Sequence, residues 1–246
     1  MVLHVDQWIM HEPAKRFLFT RFRDSYAGPK IVINHGCNMV DGCDSHTMRE
    51  LVEGCHVVCN SSTAHELWDL PHSRFIRHGM SPEEWAPTDY ARHEVLVVQA
   101  HGAIHAAYRS VAEVTKLEER FPIVWVGRDR RFDTFNKYRH FLRSSSIFLQ
   151  PSYASPNPRT RTEAMLTGLA VVSTNRHGED EYIVNGVNGF VSNDFDELGE
   201  FIEWLLAHPD DVRRIGRAGR ETAQRVFHID NFIAQWNQLL GEVVAR

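Results

Sequence analysis

The segment from Pro151 to Val191, PSYASPNPRTRTEAMLTGLAVVSTNRHGEDEYIVNGVNGFV, holds the residue types best suited to an anionic, hydroxyl-rich ligand. Thr160–Gly168 reads as a helix that follows a strand, with Thr160 or Thr162 as its cap and Gly168 as its stop. Such a helix start turns unpaired N–H groups and the positive end of the dipole outward, which is where α/β proteins bind anions. Glu163 stands in the first turn, where a carboxylate can accept two hydrogen bonds from the vicinal hydroxyls of a ribose. The same position also suits a glutamate that only stabilises the dipole, by about 0.3–1 kcal/mol, and composition alone favours that reading. Arg159 and Arg161 offer bidentate, charge-assisted contacts to phosphate. They fit solvated surface charges equally well.

A second cluster follows the strand-like run Ile123–Val126. Gly127 and Arg128 occupy the turn at its carboxyl end, with Arg130 and Arg131 close behind. A basic loop is usually just solvated, but at the carboxyl end of a strand it is also well placed for phosphate.

The elements that must hold these residues alternate along the chain. Short β-branched runs occur at Val2–Val5, Lys30–Asn34, His56–Asn60, Arg74–Arg77, Glu94–Gln99, Ile123–Val126, Ser146–Gln150, Ala170–Thr174 and Gly189–Val191. Helical periodicity marks Thr47–Glu53, Ala106–Arg120 and Phe135–Arg143 between them. That alternation predicts an α/β protein built of βαβ units with mainly parallel sheets. The continuous run Val95-Leu96-Val97-Val98 predicts a strand buried on both faces, as in a doubly wound sheet. The polar stretch SPEEWAPTDYAR, Ser81–Arg92, reads as a domain boundary. After Asp194 the pattern is purely helical, ending in a helix over Ile229–Val244 with Phe232, Trp236 and Leu239 on one face.

Bulk properties narrow the classes of function. The 246 residues are 43% hydrophobic and 24% charged, an ordinary globular composition. A net charge of −5 argues against a general nucleic-acid or anionic-membrane binder, although it leaves room for a local basic patch. No apolar run reaches the ~18 residues of a membrane span, and MVLHVDQW has no signal-peptide pattern, so a cytoplasmic protein is expected. The four cysteines (Cys37, Cys43, Cys55 and Cys59) fit no zinc spacing and read as reduced structural thiols.

Glu163-Ala164-Met165 with Gly168, then Val171-Val172-Ser173-Thr174, Gly178, Glu181, Gly186 and Gly189-Phe190-Val191, resembles glycosyltransferase family four, the group 1 family, in type and spacing. The resemblance implies a GT-B fold of two Rossmann-like domains, with Glu163 on the ribose of a nucleotide sugar. Weaker similarity extends to the first part of the chain. There Ile31–Gly36 resembles the family's strand ending in His-Gly, and Phe75–Met80 with Trp85 resembles the segment before its domain link. By carry-over, His35 and the backbone around Gly79 face the cleft, and His35 touches the sugar or acceptor.

The pattern also departs from the family. The family carries two glutamates separated by seven residues, and eight positions before Glu163 stands Ser155. Its glycine-containing loop is replaced here by Ser155-Pro156-Asn157-Pro158-Arg159-Thr160-Arg161, whose two prolines remove two N–H donors. The family's Arg and Lys for the diphosphate are missing after Glu94–Gln99, where His101, His105 and Arg109 are the available substitutes. The first domain lacks the family's earliest strands, which points to a minimal enzyme, a fragment, or a protein completed by a partner subunit or a second copy.

The expected organisation is therefore a reduced acceptor-side domain over residues 1–88, a nucleotide-sugar domain over 89–226, and a C-terminal helix over 227–246 that packs back on the first domain. The resemblance implies a retaining, metal-independent transferase that takes a nucleoside-diphosphate sugar as donor substrate and uses no cofactor. The donor set would be Glu163, Arg159, Arg161, Ser155, Arg128, Gly127, His101, Thr162 and Gly79. The alternative is a non-catalytic nucleotide-sugar binder or a scaffold subunit of another transferase.

Overall fold

A computed structural model describes residues 2–5, 12–34, 45–98, 110–152, 157–175, 178 and 181–245. The chain forms two compact units. Unit one comprises the residues up to Gly79, Asn157, and the chain from Ile229 onward; unit two comprises Met80 to His228 apart from that insertion.

Among the described residues, unit one is built on four parallel strands in the order β1-β2-β3-β4: Val2–Val5, Ile31–Asn34, His56–Cys59 and Ser73–Phe75. Side chains alternate across this sheet with the strand period of two. Val32, Val57 and Cys59 pack with Phe19, Met48, Leu51 and Trp68 from the helices Pro13–Ser25, Ser45–Leu51 and Ser62–Trp68. Ile31, Val58 and Ile76 form the other layer with Leu239 and Val243 of the helix Ile229–Val244. The last helix thus belongs to the first unit, with Phe232 and Trp236 packed against the same cluster.

Gly79 is part of this packing. A Cβ there would lie 2.5 Å from the Phe232 Cβ and 3.0 Å from the Ile229 Cα, so only glycine lets the chain pass beneath the helix.

Arg23 is buried because its guanidinium caps the helix Ser45–Leu51. Its Nη1 donates to the carbonyls of Glu50 (2.5 Å) and Leu51 (2.8 Å), which have no partner within the helix. Cys55 and Cys59 are free, buried thiols, and burial pushes Cys59 up to about 11, far from reactive thiolate. Cys37 and Cys43 lie outside the described residues.

Unit two carries five parallel strands: β5 Val95–Val98, β6 Ile123–Val126, β7 Ile147–Gln150, β8 Ala170–Ser173 and β9 Phe190–Val191, in the order β6-β5-β7-β8-β9. The connection from β5 to β6 runs one way and that to β7 the other, so the strand order reverses at β5. Both faces are covered. Val95, Val97, Leu149 and Val172 pack under the helices Val111–Glu118 and Phe195–Ala207. Leu96, Phe148 and Val171 pack under Phe135–Leu142 and Arg159–Thr167. Double burial is what the unbroken apolar strands predicted.

Two expectations shift. The boundary falls between Gly79 and Met80 rather than at residue 88, because the segment after Met80 is bonded into unit two. The Thr88 amide donates to Thr167 O at 2.8 Å, Tyr90 Oη to Gly168 O at 2.9 Å, and Arg220 Nη1 to Trp85 O at 2.7 Å. The fourth strand occupies Ser73–Phe75 rather than Arg74–Arg77. The helix Pro13–Ser25 escaped the periodicity argument because its apolar residues lie on both its inner and outer sides.

Candidate functional site

An open cavity of about 660 Å³ lies in unit two, lined by the turn from Val126 to Phe135, by Tyr138, and by Thr160 and Glu163. These residues come from the carboxyl end of β6, the helix that follows it, and the start of the helix that follows β7. In the sheet, β5 lies between β6 and β7, so the cavity flanks the point where strand order reverses. That is the position at which open α/β sheets bind their ligands.

The floor is set by one carboxylate. Glu163 is 6% exposed, in a helix whose N-cap is Pro158 and whose C-cap is Gly168. Tyr138 Oη donates to Glu163 Oε2 at 3.2 Å. Burial pushes the Glu163 pKa above its ordinary value, while the Tyr138 hydrogen bond and the charges of Arg159 and Arg139 pull it back. A buried acceptor facing an open cavity is arranged to receive hydroxyl donors. It is not arranged to sit as a dipole charge in solvent.

The wall is aromatic and the rim basic. Phe132 and Phe135 each approach the Tyr138 ring, with centroids 5.9 and 5.8 Å apart, and half of Phe135 is exposed to the cavity side and solvent. Gly127 turns the chain at φ +105°, and its carbonyl accepts from Arg131 Nε at 2.9 Å. That turn carries Arg130 and Arg131 onto the lining.

The other expected donor residues fall in different places. Arg128 turns away from the lining: its guanidinium is held by Glu118 and Asp129 and lies 5.1 Å over the Trp125 ring. Arg161 is not a solvated charge. It is 1% exposed, with its guanidinium carbon 5.5 Å over the Tyr182 ring. Arg159 is the exposed arginine at the helix start. Neither threonine caps that helix. Thr160 Oγ1 instead donates to Gln150 Oε1 at 2.9 Å, and Thr162 is buried within the helix. His35, Ser155 and His101, together with Gly36, His105 and Arg109, lie outside the described residues.

Sequence reasoning did not single out Tyr138, Phe132, Phe135 or Gln150. Tyr138 and Phe135 had a signal, since both sit on the face of a periodic helix that follows the Gly127 turn. Gln150, at the carboxyl end of β7, had none. It is 1% exposed and its Nε2 has no partner among the described residues, a cost of about 1–3 kcal/mol borne next to the site. Among the described residues no group of three or more His, Cys, Asp or Glu side chains is placed to hold a metal ion.

Residues 129–222, which hold nine of the eleven residues lining the cavity and all of Glu163's helix, match the family model described as glycosyl transferases group 1. Over that stretch unit two is similar to the group 1 glycosyltransferases. The chain is also similar to curated proteins. Trehalose synthase of Pyrococcus horikoshii is 30% identical over 103 residues, which is 42% of this chain and 25% of that protein. Alpha-maltose-1-phosphate synthase of Mycolicibacterium smegmatis is 29% identical over 136 residues, 52% of this chain and 34% of that one. The chain therefore spans about a quarter to a third of the length of these relatives. Across both units, the structure of Anabaena HepE in complex with UDP-glucose matches 98% of this chain and 78% of HepE, with a TM-score of 0.77 at 14% identity. At that identity the match establishes the fold. The architecture is that of the GT-B glycosyltransferases, as the alternating pattern and the Glu163 segment implied.

Proposed function

We propose that the chain is a glycosyltransferase that takes a nucleoside-diphosphate sugar as donor, with the nucleotide in the 660 Å³ cavity of unit two. One observation carries the reading: a buried carboxylate, Glu163, opens onto a cavity beside the reversal of strand order. Its two oxygens suit the vicinal hydroxyls of a ribose. Phe132 and Phe135 give the base an apolar wall, and Arg130 and Arg131 give the diphosphate a cationic rim. The named functions of the relatives, trehalose synthase and alpha-maltose-1-phosphate synthase, and the UDP-glucose held by HepE, lie in the same chemical class.

The reaction in this reading retains configuration and needs no metal or cofactor. The bond from the anomeric carbon to the diphosphate oxygen breaks, and an acceptor oxygen bonds to that carbon on the same face. The acceptor's proton passes to the departing diphosphate. The protein's part is to position the two substrates and to stabilise charge on the leaving group. His35 is assigned the contact with sugar or acceptor.

The second reading is a nucleotide-sugar binder without transfer activity. It draws on Ser155 in place of the family's first glutamate and on the engagement of Arg128 and Arg161 elsewhere. A thermal-shift screen of uridine, guanosine and adenosine diphosphates and their sugar conjugates tests the site. Ligand at a hundred times its Kd stabilises the native state by about 2.7 kcal/mol. At least one nucleotide should raise the Tm of the wild type and leave Glu163→Ala unmoved. A wild type that no nucleotide stabilises sinks both readings. Slow release of free sugar from the stabilising donor then separates the enzyme from the mere binder.

A further inference from the structure

Gln150 closes β7, and its side chain stands on the same face of the sheet as that of Phe148, two residues before it. That face lies under the helices Phe135–Leu142 and Arg159–Thr167, which carry Tyr138, Thr160 and Glu163 to the cavity. The carboxamide is only half used. Its Oε1 accepts from Thr160 Oγ1 at 2.9 Å, whereas its Nε2 is buried with no partner among the described residues. An unpaired buried donor is costly, and the large majority of such groups in folded proteins are satisfied. The rest of the strand, Ile147-Phe148-Leu149, is apolar, and packing alone would be better served by a fourth apolar side chain.

We propose that Gln150 Nε2 donates to an oxygen of the nucleotide's diphosphate. This rests on the nucleotide reading of the cavity and adds a binding residue to it. The orphan atom is a donor, so its ligand is an acceptor, and its surroundings favour an anionic one. Thr160 is the second residue of its helix, where the amides of Arg159 and Thr160 have no carbonyl within the helix to reach and the dipole is positive. The Arg159 side chain is exposed in the same turn. Pro158, just ahead, has no N–H to give, and the carboxamide brings a donor to that helix end from the neighbouring strand. The spacing agrees. Glu163 lies three residues beyond Thr160, about 4.5 Å along the axis. In a nucleotide the phosphate chain starts one carbon from the ribose ring that Glu163 is assigned. A sugar hydroxyl would suit the orphan less well, because a neutral acceptor makes the weaker bond and gains nothing from the helix end. The Thr160 proton is committed to Gln150, so Thr160 has no donor left for phosphate. It is a positioning residue that fixes which way the carboxamide turns.

Calorimetry tests it with UDP, GDP and ADP, each against its bare nucleoside, on the wild type, Gln150→Leu and Thr160→Val. For the base that the wild type binds best, Gln150→Leu should weaken the diphosphate about tenfold or more and leave the nucleoside nearly unchanged. Thr160→Val should weaken the diphosphate by a smaller factor and again spare the nucleoside. The Tm of unliganded Gln150→Leu should equal or exceed that of the wild type, because the change removes an unpaired buried donor. A Gln150→Leu protein that keeps the wild-type affinity for the diphosphate overturns the inference and leaves the nucleotide reading standing. Equal loss of diphosphate and nucleoside also overturns it, since a residue that only packs would act on both. Should Gln150→Leu fail to fold, Thr160→Val decides by the same comparison. A wild type that binds none of the three diphosphates overturns the nucleotide reading and this inference together.

Discussion

Tyr138 Oη lies 3.2 Å from Glu163 Oε2, joining the helix after β6 to the helix after β7 across the floor of the cavity. The bond holds the carboxylate in one orientation and favours its ionised form against the burial that disfavours it. Tyr138 is thus a positioning residue for the group assigned to the ribose.

Removing that hydroxyl gives the first prediction. In Tyr138→Phe the Glu163 pKa rises further, so donor affinity is weaker by about 1–3 kcal/mol near neutrality, the worth of a hydrogen bond to a charged group. The rise of affinity with pH should move to higher pH in the variant. Titrations of the stabilising nucleotide from acid to alkaline pH check this. A uniform loss at every pH would show that the tyrosine only packs.

Glu163 should destabilise the unliganded protein. Its folded pKa is raised, so its favourable contribution is complete below the ordinary glutamate pKa. That contribution is lost as pH climbs from there through the raised value. Glu163→Gln should therefore equal the wild type in acid and be the more stable of the two at neutral pH, while binding donor poorly. Denaturant melts of both proteins at several pH values read the difference, and a variant less stable than wild type at neutral pH would contradict it. A site residue that costs stability is the usual mark of function.

Arg130 and Arg131 rim the cavity, whereas Arg128 is occupied by Glu118 and Asp129. Arg130→Ala/Arg131→Ala should weaken nucleoside diphosphate by about tenfold or more, leave the bare nucleoside nearly unaffected, and flatten the salt dependence of binding. Arg128→Ala should spare binding. Calorimetry of the two ligands on each variant separates these outcomes.

Gly216 carries a prediction about packing. A Cβ there would meet the Gly168 carbonyl oxygen at 2.0 Å, where the helix Pro209–Val226 crosses the end of the helix Arg159–Thr167. In an isolated helix Gly→Ala would be stabilising by about 1 kcal/mol. In this crossing Gly216→Ala should cost about 1–3 kcal/mol or more through overpacking. A urea midpoint at or above that of the wild type would show that the two helices can separate without cost.

The sequence carried the alternation of elements, both sheets' parallel character and the Gly168 stop, because each follows from local periodicity or from one residue's backbone preference; periodicity put Glu163 on a helix after a strand but left its role to the family resemblance. The apolar face of Phe232, Trp236 and Leu239 was legible too, but that it returns to the first unit's sheet was implied only by the family resemblance. The sequence did not carry the fates of the arginines. Arg128, Arg130, Arg131, Arg159 and Arg161 look alike in a string, and what separates them is which partner lies within reach: Glu118 for Arg128, the Tyr182 ring for Arg161, open cavity for Arg130 and Arg131. Those partners are distant in sequence or on another element. Only tertiary packing brings them near, and the cost of leaving a charge without company decides the rest. The same holds for Gly79, whose meaning lay in Phe232 at the far end of the chain.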